Sequence, residues 1–361
     1  MLRRCELLCF LLVLGAGWSL VSELQARTFL YLSLAAEDGL AVYDVNDRTG
    51  QLKYLRLHEL GTDPGPISVS PDQRTIYVSL RTAGKLASFR VQPKDGSLEH
   101  LSTVVAEPDP AYHWPDRSRR FLISAYYQTG KVALHRLDER GAILAKGARW
   151  YPTARNAHGI AVDRGNQRVY VSHTGANAIY QFNFDTDAGK LKPAATPVIR
   201  TGDQTGPRHI SLHPSKPFAY ADNEQGNSIT FFRVVKGNLE PVQTLSTVPV
   251  DWDQGGACAR LEMSPDGTHV YVANRGHQSI AVFRIDQQSG RMTSLGQTAT
   301  EANPRSFAIH ANGRFLYAAG QDTNRLAIFS RDQQGRLKRL ETVSTGKRPW
   351  WLTLVTTSDA R

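Results

Sequence analysis

Short hydrophobic stretches separated by polar, glycine-containing turns recur along the chain from about residue 28 onwards. Seven of these stretches are centred on a tyrosine or, once, on a leucine, and successive centres are 45 to 51 positions apart. These anchor residues are Tyr31, Tyr77, Leu122, Tyr170, Tyr220, Tyr271 and Tyr317. No sustained helical periodicity interrupts them, so the pattern predicts an all-β chain built from one repeated unit.

The repeated unit has a constant internal order. A first strand (residues 208–212 in one repeat) leads through a tight turn (264–267 in the next repeat) to the anchor strand. An alternating strand such as residues 280–285, a glycine turn and a fourth strand follow. Four antiparallel strands with this period are typical of a propeller blade, because one blade cannot bury both of its faces alone. The sequence therefore predicts a seven-bladed β-propeller.

The two ends of the repeat array complement each other. The repeat that contains Tyr31 has no first strand of its own, whereas residues 348–354 supply one extra strand of that type after the last repeat. We therefore expect the C-terminal strand to join the N-terminal blade and close the ring, which leaves no open sheet edge. Residues 27–361 are predicted to form a single domain.

The N-terminus is predicted to be a targeting signal rather than part of the fold. Two arginines, Arg3 and Arg4, precede an uncharged, largely apolar run over residues 7–18, and small residues lead to a cleavage site after Ala26. The apolar run is shorter than the roughly 20 residues that a membrane span needs. We expect residues 1–26 to be a signal peptide and the mature chain to be periplasmic or extracellular, with no membrane span. An uncleaved N-terminal anchor is the alternative.

Composition narrows the range of ligands. The chain has 43 Lys and Arg against 33 Asp and Glu, a formal charge of +10, which favours anionic partners. Its basic residues are spread through turns, so no nucleic-acid groove is predicted. Three cysteines exclude a disulfide scaffold and a four-cysteine zinc site, and no group of side chains has metal-ligand spacing. We expect no metal and no cofactor; the oligomeric state stays open.

The repeat register converts sequence positions into positions around the ring. The first strand of each blade lines the central channel, so residues twelve positions before each anchor face one another: Gly65, Pro110, His158, Arg208, Ala259 and Arg305, with Trp350 from the closing strand. Residues four positions after each anchor lie at the same end of the blade: Ala35, Arg81, Tyr126, Thr174, Glu224, Arg275 and Gln321. Both rings should converge on one mouth of the channel.

Five residues of the two rings are not packing types: His158, Arg208, Glu224, Arg275 and Arg305. Guanidinium groups match carboxylate and phosphate oxygens, and imidazole and carboxylate groups can move protons near neutral pH. This set predicts an anion-binding pocket with acid–base chemistry. The alternative is structural, because arginines at such mouths also hold backbone carbonyls of neighbouring blades.

Other polar positions carry weaker signals. The loop over residues 251–256 is expected to be solvated and to form part of the wall of the mouth. The histidines on or after first strands, His209, His213 and His310, are expected to have structural roles.

Four segments of the chain resemble a known family. They are residues 156–160 (NAHGI), 206–214 (GPRHISLHP), 219–224 (AYADNE) and 263–283, which includes the Asn-Arg-Gly-His turn. Over about residues 28–356 the chain resembles the seven-bladed propeller lactonases, which include 6-phosphogluconolactonases and fungal 3-carboxy-cis,cis-muconate lactonizing enzymes.

The resemblance implies that His158, Arg208, Glu224 and Arg275 are active-site residues. Two positions depart from the family pattern. Asn156 stands where a second histidine is frequent, and Arg260 stands where an acidic residue is frequent. Both departures weaken a direct transfer of the family's substrates to this chain.

The resulting hypothesis is metal-free hydrolysis of an anionic sugar lactone. Glu224 would act as general base on water, His158 would protonate the leaving ring oxygen, and Arg208 would stabilise the oxyanion, with the first two roles interchangeable. Arg275 and Arg305 would bind the phosphate or carboxylate of the substrate. Two alternatives stay open: cycloisomerisation of a muconate-type diacid in the same pocket, and a non-catalytic extracytoplasmic binding module.

Overall fold

A computed structural model of the protein describes residues 26–357. All regular structure in this range is β-strand, and none of it forms a helix that could cross a membrane. The predicted signal peptide lies, except for Ala26, outside the described residues.

The strands fall into seven groups of four. Blade 1 contains β1 (Arg27–Leu34), β2 (Gly39–Val45), β3 (Leu52–Glu59) and β28 (Pro349–Thr357). Blade 2 contains β4 (Pro64–Val69), β5 (Thr75–Leu80), β6 (Lys85–Val91) and β7 (Leu98–Val105). Blade 3 contains β8 (Pro110–Pro115), β9 (Phe121–Tyr126), β10 (Lys131–Arg136) and β11 (Arg149–Pro152). Blade 4 contains β12 (Ala157–Val162), β13 (Arg168–His173), β14 (Ala178–Asp185) and β15 (Lys190–Arg200). Blade 5 contains β16 (Pro207–Leu212), β17 (Phe218–Asn223), β18 (Ser228–Val235) and β19 (Asn238–Ser246). Blade 6 contains β20 (Cys258–Met263), β21 (His269–Asn274), β22 (Ser279–Ile285) and β23 (Met292–Ala299). Blade 7 contains β24 (Pro304–Ile309), β25 (Phe315–Gly320), β26 (Arg325–Arg331) and β27 (Leu337–Ser344).

Each group is one antiparallel sheet, which confirms the predicted seven-bladed propeller. The innermost strands β4, β8, β12, β16, β20, β24 and β28 contact one another in that order around the axis, and β28 contacts β4 again. The ring is therefore closed, and its inner strands line one central channel.

Closure occurs as the sequence predicts. Strand β28 pairs antiparallel with β1, with Tyr31 opposite Thr353, so the C-terminus supplies the inner strand of the N-terminal blade. The Trp351 side chain is buried, and its indole nitrogen donates a hydrogen bond to the Ile67 carbonyl of blade 2 at 2.9 Å. The closing strand is thus tied both to blade 1 and to blade 2.

The repeated tyrosines join neighbouring blades. At five of the seven junctions, the anchor hydroxyl donates a hydrogen bond to the carbonyl of a glycine in the outer turn of the next blade. The pairs are Tyr31–Gly96, Tyr170–Gly237, Tyr220–Gly290, Tyr271–Gly335 and Tyr317–Gly50, at 2.8 to 3.0 Å. The last pair spans blades 7 and 1. The spacing of about 48 residues seen in the sequence is therefore the spacing of an inter-blade contact.

The turn glycines are required at these contacts. Gly50 has a φ of 77°, and a Cβ placed on it would lie 2.5 Å from the ring of Phe315. Gly96 has a φ of 67° and would meet Phe29 at 2.6 Å. Left-handed backbone and close aromatic packing both exclude a larger side chain.

We predict that Tyr317→Phe lowers the free energy of unfolding by about 1–3 kcal/mol, because it leaves the buried Gly50 carbonyl without its donor. Urea denaturation of the purified protein measures this change. The matched control is Tyr77→Phe, since the Tyr77 side chain lines a surface cavity and its hydroxyl has no glycine carbonyl partner among the described residues. Equal losses for the two variants would contradict the assigned role of the tyrosine–glycine bond.

Candidate active site

A β-bulge near the start of the inner strands directs side chains into the channel. Regular pairing with the second strand is interrupted between Ala157 and Ile160 in β12, between Pro207 and Ile210 in β16, and between Pro304 and Ser306 in β24. A bulge adds a residue and re-aims the side chains beside it. The predicted site residues His158, Arg208 and Arg305 all lie within these interruptions.

Glu224 lies between two arginines at the mouth. Its Oε1 accepts a hydrogen bond from Nη2 of Arg275 at 2.6 Å, and its Oε2 lies 3.2 Å from Nε of Arg208. The side chain is 19% exposed. Burial raises the pKa of Glu224, whereas the charges of Arg208 and Arg275 lower it. The two charges together outweigh burial, so the pKa of Glu224 lies below its usual value. The carboxylate is ionised at neutral pH and engaged on both oxygens.

Arg208 is the buried centre of the cluster. It is only 2% exposed, and its Nη1 donates a hydrogen bond to Nδ1 of the adjacent His209 at 3.1 Å. Burial lowers the pKa of Arg208, and the carboxylate of Glu224 opposes that shift. Its Nε is buried and makes no hydrogen bond of good geometry. Since Nε faces Glu224 and Nη1 donates to His209, the donor capacity that is left for an incoming oxygen atom lies on Nη2.

His158 is buried beside Arg208 and has no partner for Nδ1 among the described residues. Its ring packs edge-on against Tyr127 and His209, with ring centres 6.0 and 5.0 Å away. Burial, followed by the charge of Arg208, lowers the pKa of His158 well below 6.5. The imidazole is therefore neutral at neutral pH, and it can accept a proton.

Arginine side chains also stack on Trp350 at the mouth. The guanidinium carbons of Arg305, Arg81 and Arg348 lie 4.6, 5.0 and 5.5 Å from the indole centre. Arg81 is paired with Asp109, whereas Arg305 has no carboxylate within salt-bridge distance in the described part of the chain. Burial and the charge of Arg208 lower the pKa of Arg305. Since arginine stays protonated in proteins, its unmet charge favours an anionic ligand.

Two glycines allow this close assembly. A Cβ on Gly159 would lie 2.3 Å from the Arg208 carbonyl oxygen, so only glycine lets β12 approach β16 at this point. A Cβ on Gly65 would lie 2.7 Å from the Arg81 side chain, which crosses the inner strand of blade 2 on its way to the mouth. Both glycines hold open the space that neighbouring site residues occupy.

The structure thus brings together all five residues selected from the sequence. His158, Arg208 and Arg305 lie near the starts of inner strands, and Glu224 and Arg275 directly follow the second strands of blades 5 and 6. These strand ends share one mouth. Each predicted loop residue is tied to its inner strand, since the Glu224 amide donates to the Gly206 carbonyl and the Arg275 amide donates to the Ala257 carbonyl.

Several residues were not assigned a site role from the sequence. His209 was expected to be structural, yet it lies in the channel against His158, and its Nε2 has no hydrogen-bond partner among the described residues. Asp222 is fully buried, and its Oδ1 accepts a hydrogen bond from the His209 amide at 2.8 Å. This hydrogen bond holds the bulge in place. Burial raises the pKa of Asp222 to about 6. The bulge turns two consecutive residues, Arg208 and His209, towards the channel, and the repeat count carries no signal for it.

The remaining expectations concern loops and histidines. Trp252 of the 251–256 loop packs edge-on against His277, which follows Arg275, so this loop flanks the mouth. His213 and His310 do have structural contacts: His213 Nε2 lies 3.1 Å from the Gly267 carbonyl, and His310 Nε2 lies 2.8 Å from Asp47.

Arg260 stands where an acidic residue is frequent in the family, and a carboxylate, that of Glu262, lies beside it. Arg260 donates two hydrogen bonds to Oε1 of Glu262, at 3.1 and 2.6 Å, and stacks on Trp351 with its guanidinium carbon 4.1 Å from the ring centre. A carboxylate is therefore present on the same strand, two residues further along. Within residues 26–357, no group of three or more His, Cys, Asp or Glu side chains could hold a metal ion.

The fold, together with the titratable and cationic side chains gathered at one mouth, places the protein among the propeller enzymes that hydrolyse lactones. A model of the family described as “Lactonase, 7-bladed beta-propeller” matches residues 28–354, and the chain belongs to that family. The resemblance noted in the sequence and the predicted enzyme class are thereby confirmed.

Two relatives and one solved structure are consistent with this assignment. The chain is 30% identical to a 6-phosphogluconolactonase of Cronobacter sakazakii, over 87% of this chain and 97% of that protein. It is 29% identical to a 6-phosphogluconolactonase of Xenorhabdus nematophila, over 92% of this chain and 96% of that protein. The solved structure of a periplasmic gluconolactonase from Pseudomonas aeruginosa has the same fold, with a TM-score of 0.85 and 24% identity over 92% of this chain and 99% of that one.

We predict that Gly159→Ala lowers stability by roughly 1–3 kcal/mol, because overpacking at this contact must separate blades 4 and 5. The same separation displaces His158 from Arg208, and misplacement by about 1 Å is expected to reduce kcat/KM by about 100-fold. Gly165→Ala is the control, since its nearest Cβ contact is a flexible carboxylate oxygen at 3.3 Å. Thermal unfolding and lactone hydrolysis are measured for both; a Gly159→Ala variant as stable and active as Gly165→Ala would refute the packing argument.

Proposed function

We propose that the protein hydrolyses a sugar lactone that carries an anionic group, with His158 as the proton-transfer residue. The observation that carries the proposal is a buried imidazole that lies beside a buried arginine at the channel mouth and whose Nδ1 has no partner among the described residues. A neutral imidazole is required to take a proton from water, and the adjacent guanidinium suits an oxygen that becomes negatively charged.

The reaction then proceeds in two steps. Water attacks the lactone carbonyl while His158 accepts its proton, and the carbonyl oxygen becomes an oxyanion beside Arg208. The tetrahedral intermediate collapses with cleavage of the bond to the ring oxygen, and the protonated His158 returns the proton to that oxygen. The product is a hydroxy acid, whose carboxylate remains next to the arginines. One imidazole thus serves as base and then as acid.

This assignment differs from the sequence hypothesis in the role of Glu224. A general base needs a lone pair that is free to accept a proton from water, but both oxygens of Glu224 face arginines, whereas Nδ1 of His158 has no partner among the described residues. We therefore propose Glu224 as the residue that positions Arg208 and Arg275. In that role its negative charge also offsets part of the repulsion between the two guanidinium groups.

The charge balance of the mouth supports an anionic substrate. Glu224 and Asp109 are the carboxylates in ion pairs with mouth arginines, whereas Arg305 has no acidic partner among the described residues. We propose that Arg275 and Arg305 bind the phosphate or carboxylate of the substrate. The 6-phosphogluconolactonase relatives support a phosphorylated sugar lactone. A panel of gluconolactone and 6-phosphogluconolactone, with a muconate-type diacid to test cycloisomerisation, identifies the substrate.

We further propose that the mature enzyme acts outside the cytoplasm, in the periplasm or beyond it. The apolar run after Arg3 and Arg4 supports export, and the structural neighbour from Pseudomonas aeruginosa is named as periplasmic.

We predict that His158→Ala reduces kcat/KM for lactone opening by roughly 10²–10⁴-fold, because the proton-transfer group is lost. Glu224→Gln is expected to retain more activity than His158→Ala, since it disturbs the position of the arginines without removing the base. Rates are measured with uncatalysed hydrolysis subtracted. His100→Gln, an exposed imidazole on an outer strand, serves as the control and should leave the rate unchanged. A greater loss for Glu224→Gln than for His158→Ala would assign the base to Glu224 instead.

A further inference from the structure

A second cavity lies at the opposite end of the central channel from the mouth. Its volume is about 370 Å³, within the usual range for small-molecule sites. It is formed near the distal ends of inner strands β8, β12, β16 and β20, and we call it the lower cavity. Its lining includes Trp114, His209, Leu212, Arg260, Glu262 and Met263. None of these residues belongs to the five that form the proposed lactone site.

The deep wall of the lower cavity contains an unused donor on His209. Nδ1 of His209 lies 3.1 Å from Nη1 of Arg208, which can only donate, so Nδ1 is the acceptor nitrogen and Nε2 carries the proton. The residue is 4% exposed, and Nε2 has no hydrogen-bond partner within residues 26–357. The Ala259 carbonyl lies near the ring but makes no hydrogen bond of good geometry to Nε2. This buried N–H is therefore free to donate to an acceptor from outside the chain.

A second unused donor lies on Arg260. Its Nε and Nη2 donate to Glu262, whereas its buried Nη1 makes no hydrogen bond of good geometry among the described residues, although the Tyr112 hydroxyl lies nearby. Glu262 is engaged on both oxygens, since its Oε1 receives both bonds from Arg260 and its Oε2 receives a hydrogen bond from the Ile309 amide at 3.1 Å. The deep end of the cavity thus presents two donors, and the ligand atoms that meet them must be acceptors.

The remaining walls define the rest of the ligand. Trp114, Leu212 and Met263 are only partly buried, so apolar surface faces the cavity. At the rim, Arg117 and Arg164 are exposed and have no carboxylate within salt-bridge distance among the described residues. Since Arg260 and Glu262 neutralise each other, these rim arginines leave the cavity with excess positive charge. A small anion with an apolar body fits this combination.

We propose that the lower cavity binds a small apolar monocarboxylate, with its carboxylate oxygens accepting hydrogen bonds from His209 Nε2 and Arg260 Nη1. The body of the ligand packs against Trp114, Leu212 and Met263. This site is distinct from the proposed lactone site, although His209 contacts both His158 and the lower cavity.

Benzoate is a suitable probe, because it combines one carboxylate with a planar apolar body. Isothermal titration of the full mature chain is expected to show saturable binding of one benzoate at concentrations below about 10 mM. Benzyl alcohol, which keeps the ring but lacks the charge, is expected to bind at least tenfold more weakly. Absence of saturable benzoate binding, or equal binding of benzyl alcohol, would overturn the proposal.

Variants locate the bound benzoate. Ser211→Phe, at a partly exposed position in the cavity wall, fills the space and should abolish binding. The double variant Arg117→Gln/Arg164→Gln should weaken binding by about three- to tenfold through loss of rim charge. Arg291→Gln/Arg336→Gln removes two exposed arginines elsewhere and should leave affinity unchanged. Circular dichroism and thermal unfolding verify that each variant is folded.

Arg305→Gln distinguishes the two ends of the channel. Benzoate held in the lower cavity keeps its affinity in this variant, because Arg305 lies at the opposite mouth. Loss of binding in Arg305→Gln with retention in Ser211→Phe would place benzoate at the mouth and overturn the proposal. The result is independent of lactone turnover, since binding is measured without substrate.

Discussion

The structure depends on one constraint, the closure of the ring by strand β28. Pairing of β28 with β1 brings the first and last blades into register, and the Tyr317–Gly50 bond joins them across the same junction. Only in a closed ring do the inner strands of all seven blades share an axis. Closure therefore brings His158 and Arg305, which are nearly 150 residues apart in the sequence, to a single mouth.

The mouth concentrates positive charge in a partly buried space. Arg208 and Arg275 share one carboxylate, Glu224, and Arg305 has a stacked indole in place of an acidic partner among the described residues. The same charge, added to burial, keeps His158 neutral. The groups that would attract the proposed anionic substrate thus also set the protonation state of the proposed base. An arriving anion offsets that charge and makes the imidazole a stronger proton acceptor as the reaction begins.

The sequence predicted the architecture well because its signal is periodic. Five of the six anchor tyrosines make the same contact with the next blade, so the repeat could be counted, and the count placed Arg208 and Glu224 at one end of the channel. Counting does not reveal how a side chain is oriented or which atom it meets. The bulge at Pro207–Ile210 turns both Arg208 and His209 towards the channel. Arg208 and Arg275 engage both carboxylate oxygens of Glu224 and lower its pKa. The bulge and the Arg208–Glu224 pair lie within blade 5, and the Arg275–Glu224 bond joins blades 5 and 6; the spacing of the repeats carries no signal for any of these side-chain contacts.

The central claim is that His158 is an uncharged base in the free enzyme, and the pH dependence of kcat/KM tests it most directly because this parameter reports the pKa values of free enzyme. Protonation at low pH removes the base, so activity must fall as the pH drops through the pKa of His158. After subtraction of uncatalysed hydrolysis, kcat/KM is predicted to stay level through pH 6.5 and to fall only well below it. A half-maximal value at or above pH 6.5 would contradict the account.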